Sequence, residues 1–426
     1  MTTRRELLKA MAASAVTLTL WPRLAWSAGA GSSPPLMLVV MLRGGLDGLH
    51  ALPPIGDNAW GALRGSLPFA QGQGDAANAK PIPLDRNFAL HPSLAYGAEL
   101  YQQKAFLPVV AVAPPYQGRS HFEAQDCVEN GSSRPSGAPD GWMNRCVASL
   151  RGEEGLAIAT AMPLIMRGPA KVSTWSPPLP TGIDPNLLHR LDTLYAEDPQ
   201  LAEAYTRAVA QAHDEAGHDD AVMDADATMI AMQKSANKGD QKAVQGRPYG
   251  NGGLAEMMAA AGKFMARNDG PQIAFVEDTG WDTHAGEVAT LQRKLGELDS
   301  GLRKYHEAMG AAWDRTVVMV VTEFGRTAKV NGTGGTDHGT GGVSFLAGGA
   351  VAGGRVAGQW PGISSQDLNE GRDVHATTDM RALFKGVLVG HLLVPASALD
   401  TRVFPDSAAV RPMGGLLRSA RAVAVA

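Results

Sequence analysis

Five short, mainly apolar runs, each adjoining a polar motif, constrain this chain more than any other feature. They are Leu36–Leu42, Phe106–Val112, Ile273–Val276, Thr316–Val321 and Val343–Leu346. Apolar runs of this length, rich in β-branched residues, read as strands buried on both faces, the mark of a parallel sheet. Between the third and fourth runs, Val288, Leu291, Leu295, Leu298, Leu302, Tyr305 and Met309 recur at three- and four-residue steps. That spacing puts one apolar stripe on a helix. Strand, helix and strand in this order imply a right-handed crossover. The expected fold is therefore α/β, a mainly parallel central sheet flanked by helices.

Composition narrows the class. The chain has 426 residues, 44% hydrophobic and 19% charged, enough to bury a large core and too apolar for a disordered protein. A formal charge of −4 and the lack of a Lys/Arg run leave no nucleic-acid footprint. Residues 1–30 read as a twin-arginine signal peptide: Arg4-Arg5, a modest apolar stretch from Ala10 to Trp21, then Ala28-Gly29-Ala30. The protein is thus expected to pass through the twin-arginine export machinery to the periplasm or beyond. The apolar stretch is short of the ~20 residues a membrane span needs, and no other segment looks transmembrane. Residues 31–426 are expected to form a single domain. Within it, the polar, Ala-rich stretch from about 185 to 245 reads as a helical insertion or cap. Cys127 and Cys146 could pair in an oxidising compartment or remain as two buried thiols.

The chemistry is expected at the strand ends, where open parallel sheets bind ligands. The first run enters Arg43-Gly44-Gly45-Leu46-Asp47-Gly48. The second leads to Gly118-Arg119-Ser120-His121, the third to Trp281-Asp282-Thr283-His284, and the fourth to Glu323-Phe324-Gly325-Arg326. The fifth follows Thr336-Asp337-His338-Gly339. Carboxylates and imidazoles gathered on one edge need a positive partner, and one or two divalent cations such as Zn²⁺, Mn²⁺ or Ca²⁺ are the simplest. The candidate ligands are Asp47, Asp282, His284, Glu323, Asp337 and His338. Each has a plainer reading: Asp47-Gly48 as a turn, Glu323 paired with Arg326, Asp337-His338 as a loop tip, His284 as a helix cap. Ser120 stands before a helix expected from about His121 to Glu129. With Arg119 and His121 beside it, Ser120 is the candidate nucleophile, or else a plain N-cap closing a capping box with Glu123. Arg43 and Arg326 are the candidate anion-binding side chains, with Arg119 as a third.

These motifs, together with Asn251-Gly252-Gly253-Leu254, resemble one exported bacterial family, known as domain of unknown function 1501, over about residues 36–406. That family in turn resembles the alkaline phosphatase superfamily, which includes sulfatases. The wider resemblance implies an alkaline-phosphatase-like fold. It places a metal on Asp47, a nucleophile at Ser120, another metal on Asp282 and His284, an acid at Glu323 and a closing ligand at His338. Two departures stand out. One residue separates Asp282 from His284 where the superfamily commonly has three, and Phe324 stands where it commonly has histidine. A second metal would lack an imidazole there unless Asp337 replaced it. Two functions are expected from this pattern. One is a metal-dependent hydrolase of phosphate or sulfate esters. The other is a non-catalytic relative that binds an envelope glycan or another anionic ligand.

Overall fold

The first apolar run forms the middle of the sheet. In the computed structural model, β1 (Leu36–Leu42) is buried along its whole length. Residues 33–65, 67, 69, 79–150, 154–177 and 253–418 are described. The chain divides into two units, Met1–Pro34 and Pro35–Ala426, and every element below belongs to the second. The expected signal peptide and the expected helical insertion at 185–245 lie outside the described residues.

Seven further strands join β1: β2 (Phe106–Ala113), β3 (Gly155–Ile158), β4 (Val172–Trp175), β5 (Ile273–Asp278), β6 (Thr316–Thr322), β7 (Gly342–Ala347) and β8 (Thr378–Asp379). Their order across the sheet is β8-β2-β7-β6-β1-β5-β3-β4. β1 pairs in parallel with both β5 and β6. β7 alone runs antiparallel to its neighbours, β2 and β6. The fold is thus the expected α/β class, with a mainly parallel central sheet between helices.

Both faces are covered, which is why β1 has no polar alternation. Leu36, Leu38, Val40 and Leu42 pack on one side with α6 (Leu254–Met265) and α7 (Glu287–Met309). Met37, Val39 and Met41 pack on the other with α5 (Trp142–Ser149) and α8 (Met380–Gly390). The stripe read from α7 is the buried one: Leu291, Leu295, Leu298, Leu302, Tyr305 and Met309 are all in the core. No helix among the described residues is long and apolar enough to cross a membrane.

The reversal of β7 matters for the site. Motifs that follow a parallel strand lie at its carboxyl end. Asp337-His338 precedes β7, and because β7 is antiparallel its amino end lies on that same edge. One edge therefore collects the loops after β1, β2, β5 and β6 and the loop before β7. Cys127 and Cys146 are both free and buried, and burial pushes each thiol up to about 12.

Candidate metal centre

The strand-end loops are tied down before any functional side chain is placed. After β5, Asp278 accepts from the indole Nε1 of Trp281 at 2.8 Å and from the buried Lys294 ammonium of α7 at 2.6 Å. This fixes the loop that carries Asp282 and His284. Gly44 lies against the same loop at φ +125°. A Cβ there would stand 2.4 Å from the Asp282 amide nitrogen, so only glycine allows the approach. The loop before β7 lies along residues 325–327, with Gly339 N–H bonded to the Gly325 carbonyl and Thr327 N–H to the Asp337 carbonyl.

Three imidazoles meet on this edge. His121 opens α4 (His121–Asn130). Its Nε2 lies 2.9 Å from Nε2 of His338 and 3.4 Å from an oxygen of Asp282. His284 Nε2 lies 2.9 Å from the same His338 nitrogen and 3.1 Å from Asp282. His338 Nε2 is 3.5 Å from Asp282. Among the described residues, His121, Asp282 and His338 form a metal-capable group whose ligand atoms lie within 4.8 Å of one another.

The back of each ring is held by an oxygen that can only accept. His121 Nδ1 faces Glu323 at 2.7 Å, His284 Nδ1 faces Asp337 at 3.1 Å, and His338 Nδ1 faces the Arg119 carbonyl at 2.9 Å. Each Nδ1 therefore carries the hydrogen, which leaves the Nε2 atoms of His121 and His338 facing each other and Asp282, with Nε2 of His284 beside them. Lone pairs facing each other at 2.9 Å repel unless a cation stands between them. Tetrahedral bonds of 2.0–2.1 Å place neighbouring ligand atoms about 3.3 Å apart, and the contacts here bracket that separation. Imidazole ligands backed by carboxylates or carbonyls are the usual outer arrangement of a metal site. The residues fit a divalent cation.

The environment agrees with this division of labour. Glu323 is buried. Burial favours its neutral acid, but bonds from His121, Gln125 and the Gly44 amide hold its carboxyl below the usual range. Burial opposes ionisation of Asp282 too, and the Arg326 guanidinium overrides it and lowers its value. Burial holds His338 below the ordinary imidazole value. Phe324 packs against the rings of His121 and His338, with centroids 4.7 and 5.1 Å away. The residue that departs from the superfamily pattern thus supports the imidazoles by contact.

Several expected positions take other places. Asp47 does not join the group. It is fully buried, both carboxylate oxygens take the guanidinium of Arg64 from α2 (Trp60–Arg64), and one caps the Leu49 amide. Arg64 also donates to the carbonyls of Thr327 and Ala328, so this pair stitches the β1 loop to the β6 loop. Glu323 and Asp337 stand behind imidazoles and do not point into the centre. His121, expected beside the nucleophile, contributes a nitrogen to the centre. Arg43 and Arg326, expected to grip an anion, are consumed inside the protein. Arg43 bonds Glu129, Glu277 and Gln125. Arg326 has no exposed side-chain surface and donates to Gly44, Gly45, Trp281, Thr336 and Asp282.

Ser120 occupies the N-cap of α4, but its side chain makes no capping bond. Glu123 is taken by the Tyr116 hydroxyl, so the capping box does not form. Arg119 holds a left-handed φ of 59°, a costly conformation for a side chain of its size. Its guanidinium binds Glu370 and Asp373, at 2.8 and 3.1 Å. Sequence reasoning missed Gln125; its four-residue spacing from His121 on one helix face was visible, but only the structure shows that both reach one oxygen of Glu323. Nothing in the sequence signals that Arg64 pairs with Asp47.

Fold and site together define an α/β protein with a histidine-rich, metal-capable centre at one sheet edge. The chain belongs to the family described as protein of unknown function (DUF1501), whose profile matches residues 126–395. A comparison with curated proteins finds no similar sequence. Among solved structures, Ps i-CgsB is similar at 11% identity and a TM-score of 0.32, covering 74% of this chain and 65% of its own. This chain thus spans less than two thirds of that protein. A TAB5 alkaline phosphatase mutant with Mg bound is similar at 11% identity and a TM-score of 0.34, covering 77% of this chain and 95% of its own. A 2-O GAG sulfatase is similar at 11% identity and a TM-score of 0.29, covering 76% and 66%. At these scores the likeness assigns no activity.

Proposed function

We propose that the protein is an exported, periplasmic hydrolase of phosphate or sulfate esters that depends on a divalent metal. One observation carries the reading: His121 and His338, each backed at Nδ1 by an acceptor, bring Nε2 together with the Asp282 carboxylate, and His284 Nε2 lies 2.9 Å from His338. His121, Asp282 and His338 would hold the cation, with His284 beside them. A set dominated by imidazole suits Zn²⁺ better than Ca²⁺. When bound, the cation supplies Lewis-acid polarisation of a non-bridging ester oxygen.

The chain's own residues do the rest. The Ser120 hydroxyl, free of capping duty, attacks phosphorus or sulfur. The Ser120–O bond to that atom forms as the bond to the departing oxygen breaks, the hydroxyl proton passing to that oxygen to give the alcohol; water then adds to the same atom, its proton returning to the serine oxygen as the acid is released. Glu323, Asp337 and the Arg119 carbonyl fix the imidazole tautomers. Arg326 fixes Asp282. The arginine pair at Arg4-Arg5 delivers the folded chain to the export machinery.

The test is metal analysis of the exported protein, then turnover of aryl phosphates and aryl sulfates with Zn²⁺ or Mn²⁺. About one equivalent of metal and turnover lost in Ser120→Ala are expected. Folding should change little, since an N-cap hydroxyl contributes only ~1 kcal/mol even when bonded. Turnover retained in Ser120→Ala removes the serine mechanism. A metal-free wild type that binds no added cation removes the hydrolase reading.

A further inference from the structure

With Arg43 and Arg326 consumed, the cationic groups facing solvent near the centre are others. Beside Asp337, which backs His284, lies a cleft of about 500 Å³ whose lining includes Asp337, Lys329 and Arg372 together with the apolar Leu63, Ile363 and Leu368. Its size falls within the range of small-molecule sites. The cleft adjoins the metal-capable centre through the residues that support its imidazoles. Asp337 is half exposed, lines the cleft and bonds His284 Nδ1. Arg372 donates to the His338 carbonyl at 3.2 Å.

Charge decides what this cleft accepts. Arg372 is exposed and forms no ion pair among the described residues, so most of its fork remains available. The Lys329 ammonium is exposed and has no partner among the described residues. Asp337, the carboxylate lining the cleft, is engaged by His284 and Asn331 and also feels the charge of Arg372, which leaves Lys329 and the outer part of the Arg372 fork to face an anion. Glu370, close enough to Arg372 to feel its charge, is bound by Arg119. Two available cations beside apolar side chains favour an organic anion. Guanidinium is the better suited of the two to bidentate contact with sulfate, phosphate or carboxylate.

We infer that this cleft is a second anion subsite, which rests on the hydrolase reading for its place in catalysis. The ester group would sit at the imidazoles, and Arg372 with Lys329 would hold another negative group on the organic part. The substrate class is thus a small ester carrying at least two anionic groups.

The test is calorimetric binding of fructose 1,6-bisphosphate and fructose 6-phosphate to the full chain, with and without Mn²⁺. The wild type should prefer the bisphosphate by about tenfold, one charge-assisted contact's worth. Arg372→Gln/Lys329→Gln should erase that preference, and Arg267→Gln, a distant exposed charge, should keep it. Arg372→Lys should retain part of it. Equal affinity for the two sugars in wild type, or a preference that survives in the double variant, overturns the subsite. The hydrolase reading fails separately. Absence of turnover with the preference intact sinks hydrolysis and supports the subsite, whereas turnover without the preference sinks the subsite alone.

Discussion

At the scale of residues, the centre is built from pairs, with each imidazole supported by an oxygen behind it. His121 shows this best, because Glu323 accepts from its Nδ1 and is itself held by Gln125 and the Gly44 amide. Glu323→Gln should weaken metal binding about 10–100-fold while leaving every candidate ligand in place. Chelator competition measures it, and unchanged affinity would show that Glu323 does not tune the centre. The acidic and basic identities of Asp282, His284 and His338 were legible from their placement after and before apolar runs. The role of His121 was not. Its side chain joins the centre because α4 begins where the β2 loop ends, a fact of helix placement.

At the scale of elements, the loops after β1 and β6 are joined by a buried ion pair, and the carboxylate expected on a metal, Asp47, is paired with Arg64 instead. In sequence, an Asp in a glycine-rich turn after a strand looks the same whether it meets a cation or an arginine. The partner, Arg64, lies on a five-residue helix with no distinguishing pattern. Removing one member of a buried pair strands the other charge and costs about 3–5 kcal/mol. Asp47→Asn should therefore destabilise the protein by an amount of that order in denaturant unfolding, with metal content unchanged. Loss of metal at full stability would restore Asp47 as a ligand. The α7 stripe, by contrast, was legible from Leu291 to Met309, with Val288 only half-buried, because a 3.6-residue period leaves its mark on sequence whatever the helix packs against.

At the scale of the whole molecule, this same network sets a pH dependence away from the metal-capable centre. Burial, reinforced by the neighbouring Asp47 charge, pushes the Glu287 carboxyl well above the usual carboxylate range, while for Asp47 burial is outweighed by Arg64, which holds its carboxyl below that range. From about pH 4.5 upward the unfolded chain gives up the Glu287 proton and the folded chain keeps it. Stability should therefore fall as pH rises above the ordinary carboxylate range. Glu287→Gln should flatten that fall in urea unfolding followed across pH 5–9, and an unaltered slope would mean Glu287 ionises normally. The Asp47 contribution has the opposite sign, present above its ordinary range and lost only as pH falls through its lowered folded value. By itself, the sequence determined the α/β class, the buried strands and the edge on which chemistry gathers, because burial on two faces forces apolar runs and their ends must be polar. Tertiary structure alone decided which carboxylates face the centre, which stand behind an imidazole and which are spent on arginines. Those choices depend on contacts between loops far apart in the chain, and local spacing carries no record of them.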